Sequence, residues 1–161
     1  MPSNRRSNSA SGEEPILDDT NRRLLAELQT NARVTQAELA RRVGLSSPAV
    51  AERLQRLELQ GVIRGYRAEI EPAAIGFSLS AIIRVRPAPR QLHKIAELAR
   101  LTPEVVQCDR ITGEDCYLIR AHVRDVGHLE ELIDQLAPYG QTTTSIVQSS
   151  PVPARGLALG D

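Results

Sequence analysis

A pair of short helical segments that meet at a glycine constrains this chain more than any other feature. Thr35 is followed three residues later by Glu38, the spacing of a helix N-terminal capping box. Apolar residues recur over 39–43, and Gly44 suits the left-handed position at a helix end. One of the two serines at 46–47 then caps the next helix. The sequence therefore predicts two helices joined by a tight turn.

The residues on either side complete a three-helix unit. Asp18 is placed to cap an earlier helix whose apolar face includes 24–28. The helix after the turn has apolar residues at i, i+4 and i+7, namely Val50, Leu54 and Leu57. Gly61 closes it, and residues 62–66 are predicted to form a short strand or wing. The unit is expected to span 16–65.

The second half of the chain alternates strands with helices. The predicted elements are a strand at 78–86, a helix at 91–101, a strand at 105–111, a strand at 116–123, a helix at 126–136 and a strand at 142–148. This β-α-β-β-α-β order is the ferredoxin-like arrangement. We therefore expect an α+β protein, with an N-terminal winged helix-turn-helix followed by a βαββαβ domain.

The domain boundaries follow from the same patterns. We expect a flexible tail at 1–15, the helical unit at 16–65, a linker strand at 66–77, the βαββαβ domain at 78–150 and a second flexible tail at 151–161. The first tail is rich in serine and arginine, and the second contains two prolines and two glycines, so neither is expected to pack.

Composition excludes several classes of function. Lys and Arg together number 20 and so do Asp and Glu, so the chain has no overall basic charge to attract nucleic acid. Cys108 and Cys116 lack the second pair that a zinc ribbon needs, and we expect no metal and no cofactor. No apolar run reaches the length of about 18 residues that a membrane span needs. We expect a cytoplasmic protein with no membrane partner.

The helix after the glycine turn is suited to contact DNA. It begins with small residues, which let a helix end approach base edges, and its serines and free amides can hold a phosphate. The predicted DNA-contacting residues are Gln36, Arg41, Arg42, Ser46, Ser47, Ala49, Glu52, Arg53 and Arg56. A three-helix packing unit with a solvated arginine face is the alternative, since Arg41 and Arg42 also complement a helix dipole and Arg53 is able to pair with Glu52 or Glu58.

Five stretches together resemble one known family. They are LDDTNRRLL at 17–25, TQAELA at 35–40 with VGLS at 43–46, RLQRLE at 53–58 with GVIRGY at 61–66, TGEDCYLI at 112–119 and TTSIV at 143–147. In this order and spacing they resemble the Lrp/AsnC family of feast/famine regulators, over about residues 16–150. Two positions depart from the family pattern. Asn21 and Cys116 stand where the family often or usually has aspartate.

The resemblance implies a nucleoid-associated transcriptional regulator. The family combines a winged helix-turn-helix with a RAM/ACT-like domain that forms homodimers through its sheet, and the dimers assemble to tetramers or octamers. An amino acid or a related small molecule changes assembly or DNA affinity. The implied effector-binding residues are Gly113, Glu114, Asp115, Cys116, Thr143, Thr144 and Ser145. The alternative is that the glycine serves only a hairpin turn and the threonines are ordinary strand residues.

Three other functions compete with a ligand-sensing regulator. An enzyme is not expected, because no catalytic triad, phosphate loop or carboxylate pair stands out. An RNA-binding module would stack bases on strand aromatics, and only Tyr117 lies on a central strand. An architectural protein would wrap DNA with no response to amino acids.

Overall fold

Two compact units make up the protein. The computed structural model describes residues 17–159, so the tail expected at 1–15 lies outside the described residues. One unit contains the N-terminal part of the chain to Ala68 together with the C-terminal segment from Ala154, and the other is Glu69–Pro153. Each unit has its own hydrophobic core.

The first unit contains three helices, each begun by a side-chain cap. They are α1 (Asp19–Thr30), α2 (Gln36–Val43) and α3 (Ser47–Leu59). Side-chain oxygens of Asp18, Thr35 and Ser46 each accept a backbone N–H three residues on. Leu24 and Val50 are fully buried where the helices meet. The three helices predicted from the sequence are therefore confirmed.

Residues 62–66, predicted to form a short strand or wing, contain no strand, because this segment folds back on the end of α3. The backbone N–H groups of Val62 and Ile63 both donate to the Leu57 carbonyl, at 2.9 and 3.1 Å. The Tyr66 hydroxyl donates to Glu58 at 2.9 Å. These bonds to α3 take the place of a strand ladder, and the segment is turn and irregular chain.

The linker strand predicted at 66–77 is also wrong. Its second half is a short 3₁₀ helix, Pro72–Ile75, and the remainder carries no strand. The Glu71 carboxylate accepts the N–H of Ala73, and Pro72 occupies the first helical turn, where its missing N–H costs nothing. Gly76 ends the helix with a φ of 94°. Local capping therefore favours a 3₁₀ helix where a strand was expected.

The second unit is a four-stranded antiparallel sheet with two helices. Its elements are β1 (Leu79–Pro87), α4 (Leu92–Leu101), β2 (Val105–Arg110), β3 (Tyr117–Val123), α5 (Val126–Leu136), a 3₁₀ turn (Ala137–Tyr139) and β4 (Gly140–Ile146). The strand order is β2-β3-β1-β4, and every pairing is antiparallel. The expected βαββαβ order is confirmed, although β4 begins two residues earlier than predicted.

Strand alternation divides this sheet into two faces. On β1 the buried residues Ala81, Ile83 and Val85 alternate with more exposed ones. Ile83 pairs with Ile119 of β3, and both are fully buried against α4 and α5. Arg84 belongs to the opposite, outer face, where side chains are exposed.

The C-terminal segment differs from the flexible tail expected at 151–161. Residues 154–159 belong to the first unit, where they lie along α1. The side-chain amide of Gln29 accepts the N–H of Leu157 at 2.6 Å and donates to the carbonyl of Leu157 at 3.1 Å. One glutamine side chain thus satisfies both polar backbone groups of a residue, and this holds a segment whose composition indicates disorder.

We expect the second unit to depend on its sheet-to-helix core. Ile119→Ala removes buried methyl groups from a site with no solvent exposure, so it should lower the free energy of unfolding by about 2–5 kcal/mol. Ile75→Ala, at a residue 62% exposed in the same unit, is the control and should change it by less than about 0.5 kcal/mol. Urea denaturation measures both. Equal effects would contradict this assignment of the core.

Candidate DNA interface and effector site

A tight turn presents the start of α3 to solvent. Gly44 ends α2 in the left-handed conformation, with a φ of 76°, and the N–H of Leu45 donates to the Ala40 carbonyl at 3.0 Å. The chain then turns directly into α3. Ser46 and Pro48 are exposed and Ser47 and Ala49 are half-buried, whereas Val50 and Leu54 point into the core. The beginning of α3 is therefore a narrow, small-residue surface.

Arg53 is held against α1 instead of projecting from α3. Its guanidinium donates to the Asp18 carboxylate at 2.6 Å and to the Asn21 side-chain oxygen at 3.0 Å. Asn21 is buried, and the Arg53 side chain is only 27% exposed. Both hydrogen bonds start from one guanidinium nitrogen, Nη1, so the expectation that Arg53 contacts DNA stays a prediction. Arg53 thus pairs with Asp18 and Asn21 of the α1 start, and not with Glu52 or Glu58 as the alternative interpretation expected.

The Asp18 carboxylate both caps α1 and holds this arginine. Burial alone would raise the pKa of Asp18, but the backbone N–H of Asn21 and the Arg53 guanidinium together lower it. The side chain therefore stays ionised and performs both tasks. Because the Asn21 side chain is neutral, Asp18 provides the one carboxylate that Arg53 contacts on α1. An aspartate at position 21 would add a second carboxylate.

Carboxylates already pair with Arg41 and Arg42. Glu38 accepts hydrogen bonds from Arg41 at 2.7 and 2.8 Å and from Arg42 at 2.7 Å, and Glu27 accepts one from Arg42 at 2.6 Å. The two guanidinium groups lower the pKa of Glu38 to about 2. Arg41 is 73% exposed and Arg42 40% exposed, so Arg41 has more freedom to reach a phosphate.

The other predicted DNA contacts lie on the surface. Gln36 is exposed at the first position of α2. Arg56 is 52% exposed and forms a long ion pair of 3.4 Å with Glu52, which is 74% exposed. An exposed pair of this kind contributes little to stability, so both side chains are able to rearrange on meeting DNA.

The turn between β2 and β3 gathers charged groups of both signs. Gly113 has a φ of 111°, which requires glycine, and supports the tight-turn role considered for it. Glu114 pairs with Arg86 of β1. The Asp115 carboxylate lies 3.7 Å from a guanidinium nitrogen of Arg84 and 3.9 Å from one of Arg86. Glu114 and Asp115 are thus brought together with two arginines.

Cys116 extends the β2–β3 hairpin beyond the strands. Its N–H donates to the Val85 carbonyl at 3.0 Å, and its own carbonyl accepts the N–H of Ile111 at 2.9 Å. Its side chain packs partly buried against the core of the second unit. The thiol thus occupies an apolar position, and the carboxylate of this turn is provided one residue earlier, by Asp115.

The three candidate effector residues on β4 do not share a face. Thr143 pairs with Arg84 and Ser145 pairs with Ile82, which places both on the outer face of the sheet. Thr144 pairs with the buried Ile83 and faces the helices, where its hydroxyl oxygen is buried. Grouping Thr144 with Thr143 and Ser145 is therefore wrong, because consecutive strand residues point to opposite faces.

Sequence reasoning missed the partners of the predicted site residues. Arg84 and Arg86 were not selected, although their alternation with buried Val85 at the end of β1 marks both as outer-face residues. Asn21 stands out in the sequence only as a departure from the family pattern, and its contact with Arg53 joins residues 32 apart in the sequence. No local pattern in the sequence indicates that contact.

Further observations bear on the competing interpretations. Tyr117 is buried and its hydroxyl donates to the Leu92 carbonyl at 2.9 Å, so this ring faces the helices and is not open to a nucleic acid base. Burial raises the pKa of the Cys108 thiol, which disfavours the reactive thiolate.

Within 17–159, no group of three or more potential metal ligands occurs. No helix in the same range is long and apolar enough to cross a membrane.

Comparisons with known proteins agree with both units. A family model described as a winged helix-turn-helix DNA-binding domain matches residues 17–64, and one described as the Lrp/AsnC ligand binding domain matches 80–157. An HTH-type transcriptional regulator of Bacillus subtilis (strain 168), YezC, is 39% identical over 134 residues, covering 83% of this chain and 95% of the relative.

Two solved structures are also similar. A transcriptional regulator from Neisseria meningitidis in complex with L-methionine has a TM-score of 0.80 at 32% identity, covering 86% of this chain and 94% of its own. The feast or famine regulatory protein of M. tuberculosis, complexed with L-methionine, has a TM-score of 0.81 at 34% identity, covering 88% and 98%.

The helix-turn-helix and the βαββαβ domain define a DNA-binding transcriptional regulator, and the matching models and relatives are those of regulators, not of enzymes. More narrowly, the chain belongs to the Lrp/AsnC family.

We expect Arg53→Ala to destabilise the first unit. It removes charge-assisted hydrogen bonds to α1, so it should lower the free energy of unfolding by about 1–3 kcal/mol. Arg56→Ala removes an exposed arginine from the same helix and should change that free energy by less than about 0.5 kcal/mol. Denaturant unfolding followed by circular dichroism measures both. A stable Arg53→Ala protein that had lost DNA binding would show that Arg53 contacts DNA directly.

The lowered pKa of Glu38 predicts a pH-dependent stability. Its folded pKa of about 2 lies below the ordinary 4.5, so its pairing with Arg41 and Arg42 stabilises the fold above pH 4.5. That contribution is lost as the pH falls from 4.5 towards 2. Thermal unfolding of Glu38→Gln should therefore depend less on pH in this window than that of the native protein. Glu130→Gln on α5 is the control and should follow the native curve.

Proposed function

We propose that this regulator places the N-terminal half of α3 in the major groove of double-stranded DNA. The narrow, small-residue surface at the start of α3, where Ser46 and Pro48 are exposed and Ser47 and Ala49 half-buried, is the observation that carries the proposal. Its residues allow close approach to base edges, and the backbone N–H groups of a helix start attract phosphate. Gln36 and Arg41 on α2 contact the phosphates that flank the groove, and Arg56 and Glu52 rearrange to meet DNA further along α3.

The regulator acts as a homodimer that assembles further to a tetramer or octamer on chromosomal DNA. Half-buried Ile82 and Leu118 lie on the outer face of the sheet, opposite the face that α4 and α5 cover. Contact between two such faces would bury these apolar groups. A dimer would then present two α3 helices to half-sites about 34 Å apart along the DNA, or a multiple of that distance.

An amino acid bound at the β2–β3 turn changes assembly or DNA affinity. Two similar structures contain L-methionine, according to their descriptions. In this chain the Asp115 carboxylate suits the ammonium group of an amino acid, and Arg84 suits its carboxylate. Thr143 pairs with Arg84 on the adjacent strand and adds a hydroxyl group. Backbone amides near Gly113 provide further donors, and Cys116 contributes its backbone and an apolar wall.

A titration of DNA from upstream of the protein's own gene tests this function. Fluorescence anisotropy measures Kd with no ligand, with L-methionine and with each other common amino acid. At least one amino acid should change Kd by about fivefold or more. Asp115→Asn should abolish that change, whereas Asp134→Asn, at an exposed site on α5, should retain it.

Each contrary outcome has a distinct meaning. Tight DNA binding that ignores every amino acid would overturn ligand sensing and favour an architectural protein. A response that persists in Asp115→Asn would overturn the assignment of the effector site alone. No binding to any DNA at low salt would overturn the placement of α3 in the groove.

A further inference from the structure

The C-terminal segment of the chain occupies a specific surface of α1. Besides the paired hydrogen bonds between Gln29 and Leu157, the Arg22 guanidinium donates to the carbonyl of Leu159. The segment therefore contacts α1 at two positions, seven residues and two helical turns apart. Residues 154–159 are called the C-terminal strap below.

The strap and α1 approach each other closely at Gly156. A Cβ atom there would lie 2.7 Å from the side-chain oxygen of Gln29, so a larger residue would require the Gln29 side chain to move. Leu157 and Leu159 line an open cavity of about 1090 Å³ together with Leu25 and Leu28 of α1, and Leu157 remains 80% exposed. The backbone hydrogen bonds to Gln29 and Arg22, and not apolar burial, therefore hold the strap on α1.

The strap is a second covalent connection between the two units. One connection passes through Ala68 and Glu69, and the other runs from the end of β4 through 147–153 to the strap. This second connection is short and contains Pro151 and Pro153, which restrict its backbone.

The strap contacts the same helix that holds Arg53 of α3. Asn21, which accepts from Arg53, is adjacent in sequence to Arg22, which donates to the strap. The contacts within the first unit therefore link the strap through α1 to α3. Such a path transmits a change only if its contacts are made in one state and weakened in another.

We propose that α1 is a docking surface for the C-terminal strap, and that docking steadies α3 and so strengthens DNA binding. The second part rests on the proposed placement of α3 in the major groove. The first part rests only on the contacts within the first unit.

Proteolysis tests the docking. Trypsin cleaves after arginine, and Arg155 lies within the strap, so a docked strap is cleaved only when it opens. Gln29→Ala removes both bonds to Leu157 at an exposed helical position, where alanine preserves the helix. It should accelerate cleavage after Arg155 by about tenfold, measured by mass spectrometry. Gln135→Ala, at an exposed position on α5, should cleave at the native rate.

DNA affinity tests the consequence of docking. Gln29→Ala and a chain that ends at Pro153 should both bind DNA about fivefold more weakly than the native protein, while Gln135→Ala binds equally well. Equal cleavage rates in Gln29→Ala and the native protein would overturn docking. Faster cleavage with unchanged affinity would overturn the link to DNA. Failure of the native protein to bind DNA would instead contradict the proposed function, and the cleavage rates alone would then decide whether the strap docks.

Discussion

The contact between Arg53 and the start of α1 sets how the DNA-binding unit is arranged. It joins the helix that carries the small-residue surface to the N-terminal cap of the first helix. Asp18 accepts both the first-turn amide and the guanidinium, so a single ionised carboxylate orders two helices. Apolar packing around Leu24 and Val50 supplies the burial, but it is not directional. The hydrogen bonds of Arg53 join the middle of α3 to the start of α1, whereas Ser46 caps the start of α3.

Paired charges explain how a chain with no net charge presents arginines for DNA. Glu38 and Glu27 neutralise the arginines that end α2 until a phosphate competes for them. This arrangement limits non-specific attraction to DNA, because attraction at long range depends on uncompensated charge. If α3 enters the major groove as proposed, recognition would depend on the shape and position of α3 more than on the electrostatic field of the whole protein.

The second unit also pairs opposite charges, here between β1 and the turn that joins β2 to β3. Arg84 and Arg86 alternate on one strand, and Asp115 reaches them from the neighbouring turn. Because strand residues alternate between faces, Thr143 lies on the same face as Arg84 and Thr144 on the opposite one. Cys116 stands where the family usually has aspartate, and the nearest carboxylate is that of Asp115, one residue earlier. The backbone hydrogen bonds of Cys116 to Val85 and Ile111 keep the hairpin closed at this position.

Local sequence signals predicted most of the fold. The caps at Asp18, Thr35 and Ser46 and the apolar periodicity located all three helices of the first unit, and alternation located the four strands. Contacts between distant residues could not be predicted in this way. Arg53 looked like a surface residue because its partners lie on another helix, and the strap looked disordered because Gln29 satisfies its backbone from far away in sequence. The strand expected at 62–66 is absent for a related reason, since backbone bonds to Leu57 take the place of a strand partner.

The central claim is that α3 meets DNA with its N-terminal half while Arg53 stays bound to α1. Nuclear magnetic resonance of the DNA complex tests it directly, because the side-chain signals of arginine and the backbone amides are observed together. The account predicts that the amide signals of Ser47 and Ala49 shift on addition of operator DNA, while the guanidinium signals of Arg53 remain those of the free protein. A shift of the Arg53 guanidinium signals with unchanged amide signals at the start of α3 would contradict it.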